Sequence, residues 1–187
     1  MLLSSNDMVD DAAACVAYCE GQLQQGADPA SSIIILGQSM GGGVAVELAS
    51  TRYPRLPNVN CRSFSSLSAA ASSTLGIAGS SVARGVVRLA LSLAFSRLPW
   101  RSPLDSARHW RQLHTGPKLL IYHPQDQVIG HAAALHTALH DQSALDGIDV
   151  IQLGGSPRDA HNEHPADFAP REWSAAISWM QRALQLQ

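Results

Sequence analysis

The stretch SSIIILGQSMGGGVAVELAS, residues 31–50, decides which fold this sequence predicts. It opens with an apolar, β-branched run at residues 32–36, which is typical of a short strand buried on both faces of a sheet. The run stops at Gly37-Gln38-Ser39-Met40-Gly41, and a small-residue pattern with helical spacing continues to about Arg52. We therefore expect a buried strand, a tight turn and a helix in immediate succession.

A serine between two glycines in a strand-to-helix turn is the arrangement that presents a nucleophile. The turn projects the serine Oγ above the sheet, and the helix that follows adds unpaired N–H groups and a positive dipole end. We expect Gly37 and Gly41 to be required because a side chain at either position would collide with the neighbouring strand or helix. The alternative is a tight turn in which Ser39 is incidental.

Two phosphate-binding interpretations of the same glycines fail on the residues present. A P-loop needs a lysine directly after its last glycine, and no lysine follows Gly42 or Gly43. A dinucleotide fingerprint needs Gly-x-Gly-x-x-Gly, which no window of residues 37–43 supplies. The turn therefore favours nucleophilic chemistry over phosphate binding.

The rest of the chain predicts a single α/β domain over residues 1–187. Strand patterns alternate with helical patterns, which argues for a mostly parallel sheet with helices on both faces. Residues 65–113 show no strand pattern, and we expect a helical insertion or cap there, between the second and third strands. The further strands are expected at residues 59–64, 117–123 and 148–153, and the other helices at residues 8–23, 128–142 and 170–186.

A serine nucleophile needs a base, and the base needs a carboxylate that orients it. Asp126 lies in the loop after the third predicted strand, and His161 lies in the loop after the fourth. The chain order Ser39, Asp126, His161 is the order found with this kind of turn. Because the carboxyl ends of parallel strands share one edge of the sheet, we expect the three side chains to meet there.

Other residues compete for these roles. His164 lies three residues after His161 and is the alternative base. His136 and His140 have a metal-like spacing, but no glutamate between them completes a zinc motif, so we expect a helix surface and no metal. The tryptophans of the insertion either line an acyl pocket or pack the insertion onto the sheet. The other candidate acids are Asp105, Asp141, Asp146, Asp149 and Asp159, each of which also fits a solvated or capping carboxylate.

These motifs resemble those of a known family, the serine hydrolases of the α/β-hydrolase fold, which include esterases, lipases and thioesterases. GQSMGG at residues 37–42 resembles the family's Gly-His-Ser-Met-Gly-Gly elbow, with Gln38 where histidine is common. LLIYHPQDQVI at residues 119–129 resembles its acid loop, and His161-Asn162 resembles its histidine loop. The resemblance extends from about residue 8 to the end and is thin over residues 65–113.

The resemblance implies a reaction and a role for each matching residue. Ser39 would attack a carbonyl carbon, His161 would carry the proton, and Asp126 would orient the imidazole. Met40 would donate an oxyanion N–H, with Gln38 beside it at the substrate. The expected substrate is a small-molecule carboxylic ester or thioester, and no cofactor is expected. The alternative is a catalytically deficient hydrolase fragment that acts as a binding or assembly module.

The family also places strands and a second oxyanion loop before the elbow strand. Here the elbow is reached at Ser39 after one predicted helix. We therefore expect either an N-terminally incomplete copy of a longer hydrolase or a half-sheet. In the half-sheet, the exposed first strand would pair with another copy as a homo-oligomer.

Composition narrows the class of partner. The formal net charge is −2 and no basic run is dense, so no nucleic-acid partner is expected. The most apolar window, residues 86–95, is too short to cross a bilayer, and the N-terminus has no basic segment before an apolar one. Three cysteines without metal-ligand spacing favour a reducing compartment. We therefore expect a cytoplasmic protein without a transmembrane segment.

Overall fold

The computed structural model describes residues 5–74, 104–140 and 148–185. Four strands form one sheet in which every neighbouring pair is parallel, in the order β1-β2-β3-β4. The strands are β1 (Ile35–Gln38), β2 (Asn58–Cys61), β3 (Lys118–Tyr122) and β4 (Asp149–Gln152). The predicted α/β class and parallel sheet are confirmed.

Helices connect the strands and cover the sheet. A short 3₁₀ turn at Pro29–Ser31 precedes β1, and another at His131–Ala133 precedes the helix Leu135–His140. The helices are α1 (Ser5–Gly21), α2 (Met40–Thr51), α3 (Leu67–Thr74), α4 (Ser106–Gln112), α5 (Leu135–His140), α6 (Pro165–Phe168) and α7 (Pro170–Gln185).

The two faces of the sheet bury alternate residues of the strands, as a period of two requires. Leu119 and Ile121 of β3 pack against Trp179 of α7 on one face. Leu120 points to the opposite face, where it packs with Trp110 of α4 and with residues of α2 and α5. Helices therefore cover both faces as predicted, and Trp110 packs its helix onto the sheet.

Helix α2 is fixed over the sheet by polar contacts that the sequence analysis did not anticipate. Asn58 and Asn60 of β2 are fully buried, and their amide groups donate to the carbonyls of Ala45 and Gly42, respectively. A buried amide N–H without an acceptor is costly, so these two hydrogen bonds favour one placement of α2 on the strand. That placement sets the position of the turn at its start.

Two predicted elements differ from the structure in their bounds. The second strand, predicted over residues 59–64, ends at Cys61 because Arg62 has a φ of +49°, in the left-handed region that strands do not use. The helix predicted over residues 128–142 is divided: a 3₁₀ turn comes first, and Ala134 then forms an antiparallel bridge with Phe64 before α5 begins.

The predicted insertion is described only at its two ends, which are helical at α3 and α4. Its middle, residues 75–103 with Trp100, lies outside the described residues. In the part of the chain that the structure describes, β1 pairs with β2 alone and so forms one edge of the sheet. None of the described helices is both long enough and apolar enough to cross a membrane.

Candidate active site

Ser39 lies in the tight turn between β1 and α2, with φ 53° and ψ −122°. A positive φ is rare for a residue with a side chain and costs on the order of 1–3 kcal/mol, so the surrounding structure must impose it. The Ser39 N–H donates to the carbonyl of Cys61 at 3.1 Å, which continues the ladder between β1 and β2 to the turn itself. The turn therefore lifts the Ser39 side chain away from the strand direction at the carboxyl edge of the sheet.

The glycines around Ser39 have unequal roles. A Cβ added to Gly37 would lie 2.7 Å from Cβ of Ala45, so only glycine lets β1 and α2 approach so closely. For Gly41 the expected collision is not found, because a Cβ there would meet no atom of the described residues within 4 Å. Gly42 is the second close approach, since its Cβ would lie 2.6 Å from Cβ of Ser63.

His161 lies between Ser39 and Asp126. Its Nε2 is 2.9 Å from Ser39 Oγ, and its Nδ1 is 2.8 Å from Asp126 Oδ2. A carboxylate can only accept a hydrogen bond, so Nδ1 carries the ring proton and Nε2 of the neutral ring accepts from the Ser39 hydroxyl. The His161 ring is almost fully buried, which shields both hydrogen bonds from water.

Asp126 is fixed by the backbone that follows it. Its Oδ1 accepts hydrogen bonds from the N–H groups of Val128 and Ile129, at 3.0 and 2.9 Å. Its Oδ2 is thereby left to face His161, and the side chain is 6% exposed. The acid-loop turn therefore orients this carboxylate towards the His161 ring.

The loop that carries His161 is ordered by Asp159. Asp159 Oδ1 accepts from the N–H groups of His161 and Asn162, and Oδ2 accepts from Asn162 Nδ2 at 2.7 Å. These bonds, that of the Asn162 side chain first, lower the pKa of Asp159 below its ordinary value. Asp159 therefore shapes the loop and does not contact the His161 ring.

Two side chains from the sheet also contact this loop. Gln38 was expected beside the substrate, and its Nε2 instead donates to the carbonyl of His161 at 2.9 Å. Arg62 Nη1 donates to the carbonyls of Ala160 and Glu163, at 3.0 and 2.8 Å. Arg62 was not predicted to contact this loop; the signal that could have revealed it is a cation inside the predicted strand at residues 59–64.

Met40 is the first residue of α2. The first N–H groups of a helix have no acceptor within the helix, and the positive end of the helix dipole lies there. The Met40 N–H therefore lies next to Ser39, at the position where the motif predicts an anion donor. Its side chain is half exposed, so the approach to the turn is partly apolar.

The competing candidates lie elsewhere or have other contacts. His164 begins α6, where its Nδ1 accepts from the N–H of Ala166, and its ring packs edge-on against Trp173. Asp105 caps α4 by accepting from the N–H of Arg108, and Asp149 accepts from Trp179 Nε1. Asp141 and Asp146 lie outside the described residues. Among the candidate acids that the structure describes, only Asp126 contacts the His161 ring.

His136, one of the two histidines at metal-like spacing, packs against other aromatic rings. His136 stacks on Tyr122 with ring centroids 3.8 Å apart, and His131 lies tilted against it at 5.4 Å. Burial, and then the charge of His131, lower the pKa of His136 to about 4, so its ring is neutral near pH 7. Among the described residues, no three His, Cys, Asp or Glu side chains converge as a metal site would require.

Comparison with known proteins adds information about the fold alone. No protein-family model and no curated protein matches the chain. Among solved structures, it is similar to an esterase of Pyrococcus furiosus, with 16% sequence identity and a TM-score of 0.61. The match covers 98% of this chain and 63% of the esterase, so the chain spans less than two thirds of that protein's length. The fold is therefore esterase-like.

Proposed function

We propose that the chain is a serine hydrolase of the α/β-hydrolase fold that cleaves carboxylic esters or thioesters. The observation that carries the proposal is the pair of hydrogen bonds through His161, to Ser39 Oγ at 2.9 Å and to Asp126 Oδ2 at 2.8 Å. A serine, a base and an orienting acid in this sequence of contacts are the minimum that nucleophilic acyl transfer needs. The esterase-like fold supports the same class of reaction.

In the first half of the reaction, Ser39 Oγ attacks the substrate carbonyl carbon while His161 Nε2 takes the hydroxyl proton. The imidazolium that forms is stabilised by Asp126, and the Met40 N–H faces the oxygen that becomes negative. The tetrahedral intermediate then expels the alcohol or thiol, which leaves with the proton from His161. An acyl group remains bonded to Ser39.

In the second half, His161 removes a proton from a water molecule, which attacks the acyl carbon. The new tetrahedral intermediate releases Ser39, and His161 returns the proton to its Oγ. The products are a carboxylic acid and the regenerated enzyme. An oxyanion donor contributes about 3–4 kcal/mol in enzymes where it has been removed, so the Met40 N–H is expected to be a large part of the catalysis.

A fluorophosphonate probe tests the proposal because it bonds covalently to an activated serine. We expect labelling of the wild-type chain and none of Ser39→Ala. Ser50→Ala is the matched control, since Ser50 also contacts a histidine, at 2.8 Å from His109 Nδ1. A folded wild-type protein that takes up no label, or equal labelling of Ser39→Ala, would contradict the proposal.

The edge of the sheet favours a second proposal, the assembly of two copies through β1. Ile35 and Ser39 direct their N–H groups to the chain of β2, so Leu36 and Gln38 direct theirs to the opposite side. The Leu36 side chain is 49% exposed on this edge, and such edges pair with further strands. Light scattering is expected to show a dimer that Leu36→Lys converts to a monomer; a monomeric wild-type chain would contradict it.

A further inference from the structure

The loop that carries His161 is held to the sheet by side chains that the proposed reaction does not itself require. Arg62 Nη1 bonds the carbonyls of Ala160 and Glu163, and Gln38 Nε2 bonds the carbonyl of His161. Three of the four carbonyls of residues 160–163 therefore accept hydrogen bonds from residues at the carboxyl ends of β1 and β2.

We infer that Arg62 and Gln38 are positioning residues, which hold His161 where its ring reaches both Ser39 and Asp126. The inference rests on the proposed function for its effect on turnover. The expected change in structure does not depend on that function: without these two donors, the loop and the His161 ring shift relative to the sheet. Neither residue contacts the reacting atoms.

Arg62 makes this contact although its side chain is buried and its backbone is strained. The residue is 3% exposed and adopts a left-handed φ of +49°. Burying a guanidinium is costly, and an apolar residue of similar volume often stabilises a protein more. The hydrogen bonds from Nη1 to the carbonyls of Ala160 and Glu163, on either side of His161 in the loop, offset part of the cost of this burial.

Gln38 links the strand that leads to Ser39 with the loop that carries His161. It precedes Ser39 in the chain, and its amide group bonds the backbone of His161 itself. A displacement of about 1 Å at a catalytic group can reduce turnover by about 100-fold. The link through Gln38 limits such displacement between β1 and the histidine loop.

The first test is the kinetics of Arg62→Met with a short-chain ester. We expect kcat to fall by about 10- to 100-fold, as for a displaced catalytic group, with KM unchanged because Arg62 does not contact the substrate. Arg62→Lys keeps a cation and is expected to recover part of kcat. Arg55→Met is the matched control: Arg55 pairs with Asp28 on an exposed surface, and its removal is expected to leave kcat unchanged.

The second test reads the geometry without turnover. A ring N–H that donates to a carboxylate gives a proton resonance far downfield of the amides, and His161→Gln assigns it to Nδ1. We expect Arg62→Met to broaden or remove this resonance, while Arg55→Met leaves it intact. Loss of the resonance in a protein that hydrolyses nothing would support the positioning role even if the proposed function failed.

Gln38→Glu keeps the test decisive if Arg62→Met does not fold. The substitution preserves the shape of the side chain and replaces the donor with an acceptor that faces the His161 carbonyl. Because Gln38 is exposed, water can replace part of the contact, and we expect a smaller loss of kcat than for Arg62→Met. An unchanged kcat together with an unchanged downfield resonance in the folded variants would overturn the inference.

Discussion

A serine lies at each end of helix α2, and each of the two serines contacts a histidine that has an acidic side chain nearby. At its start, Ser39 meets His161, which meets Asp126. In its last turn, Ser50 Oγ lies 2.8 Å from His109 Nδ1, and His109 Nε2 lies 3.8 Å from Glu47 Oε2. A serine, a histidine and an acidic residue therefore occur together twice, once at each end of α2.

The contacts at the two ends differ in what they can do chemically. The His109–Glu47 distance of 3.8 Å is too long for a hydrogen bond, and Glu47 Oε2 has no hydrogen-bond partner. Burial raises the pKa of Glu47 and lowers the pKa of His109, so each group favours its neutral form. Ser50 lies within the helix, and its hydroxyl donates a hydrogen bond to the Glu47 carbonyl at 3.1 Å.

The comparison shows that a serine, a histidine and an acid do not by themselves make a nucleophile. At the start of α2, the serine is lifted by a strained turn, and the carboxylate is held by two backbone N–H groups. At the end of α2, no N–H group of the described residues bonds the Glu47 carboxylate, which lies 3.8 Å from the His109 ring. Hydrogen bonds from the backbone to the carboxylate therefore distinguish the residues at the start of α2 from those at its end.

The largest expected effect is on turnover when each carboxylate is made neutral. Asp126→Asn removes the charge that orients His161 and stabilises its cation, and we expect kcat to fall by about 10⁴-fold, as the same change does in a serine protease. Glu47→Gln is expected to leave kcat unchanged. Rates of ester hydrolysis by the two purified variants measure the difference. Equal losses would mean that the two sets of residues are not functionally distinct.

The next effect is on the packing of the first turn of α2. A Cβ at Gly42 would lie 2.6 Å from Cβ of Ser63 and 2.9 Å from Nδ2 of Asn60. We expect Gly42→Ala to lower the free energy of unfolding by about 1–3 kcal/mol, the usual cost of overpacking a buried site. Urea denaturation measures it, and labelling of Ser39 is expected to slow because the turn moves with the helix.

Gly41→Ala is the matched control for that change. Gly41 lies one position earlier in the same turn, and a Cβ there meets nothing within 4 Å. Because glycine inside a helix is unfavourable relative to alanine, this variant is expected to gain about 0.5–1 kcal/mol. If both variants lost the same free energy, the close approach at Gly42 would not be what fixes the turn.

Most of the fold follows from sequence patterns because each pattern has a local cause. The apolar run before Gly37 and the small residues after it predict the strand, the turn and α2 without knowledge of other contacts. Asp126 and His161 are found in the same way, since each follows a predicted strand and parallel strands end at a common edge. In the structure His161 lies at hydrogen-bond distance from both Asp126 and Ser39.

What the patterns missed depends on contacts between distant residues. Arg62 is 98 positions from Ala160, whose carbonyl it binds, and Gln38 is 123 positions from His161. No local period encodes such pairs. The second set at Ser50 and His109 was missed for the same reason, because it forms only when α4 packs on α2.

The smallest expected effect is the pH dependence of stability at the second set. The pKa of Glu47 is raised in the folded chain, so the unfolded chain loses this proton first as pH rises above 4.5. Wild-type stability therefore falls as pH rises through the folded pKa, and Glu47→Gln is expected to gain stability relative to wild type over that window.

The pKa of His109 is lowered, so below pH 6.5 the unfolded chain binds a proton that the folded chain does not. His109→Gln is thus expected to gain relative stability as pH falls, the opposite slope. Urea midpoints of both variants between pH 4.5 and 8 measure the two slopes. A charged ion pair would reverse both signs, and the end of α2 would then resemble its start.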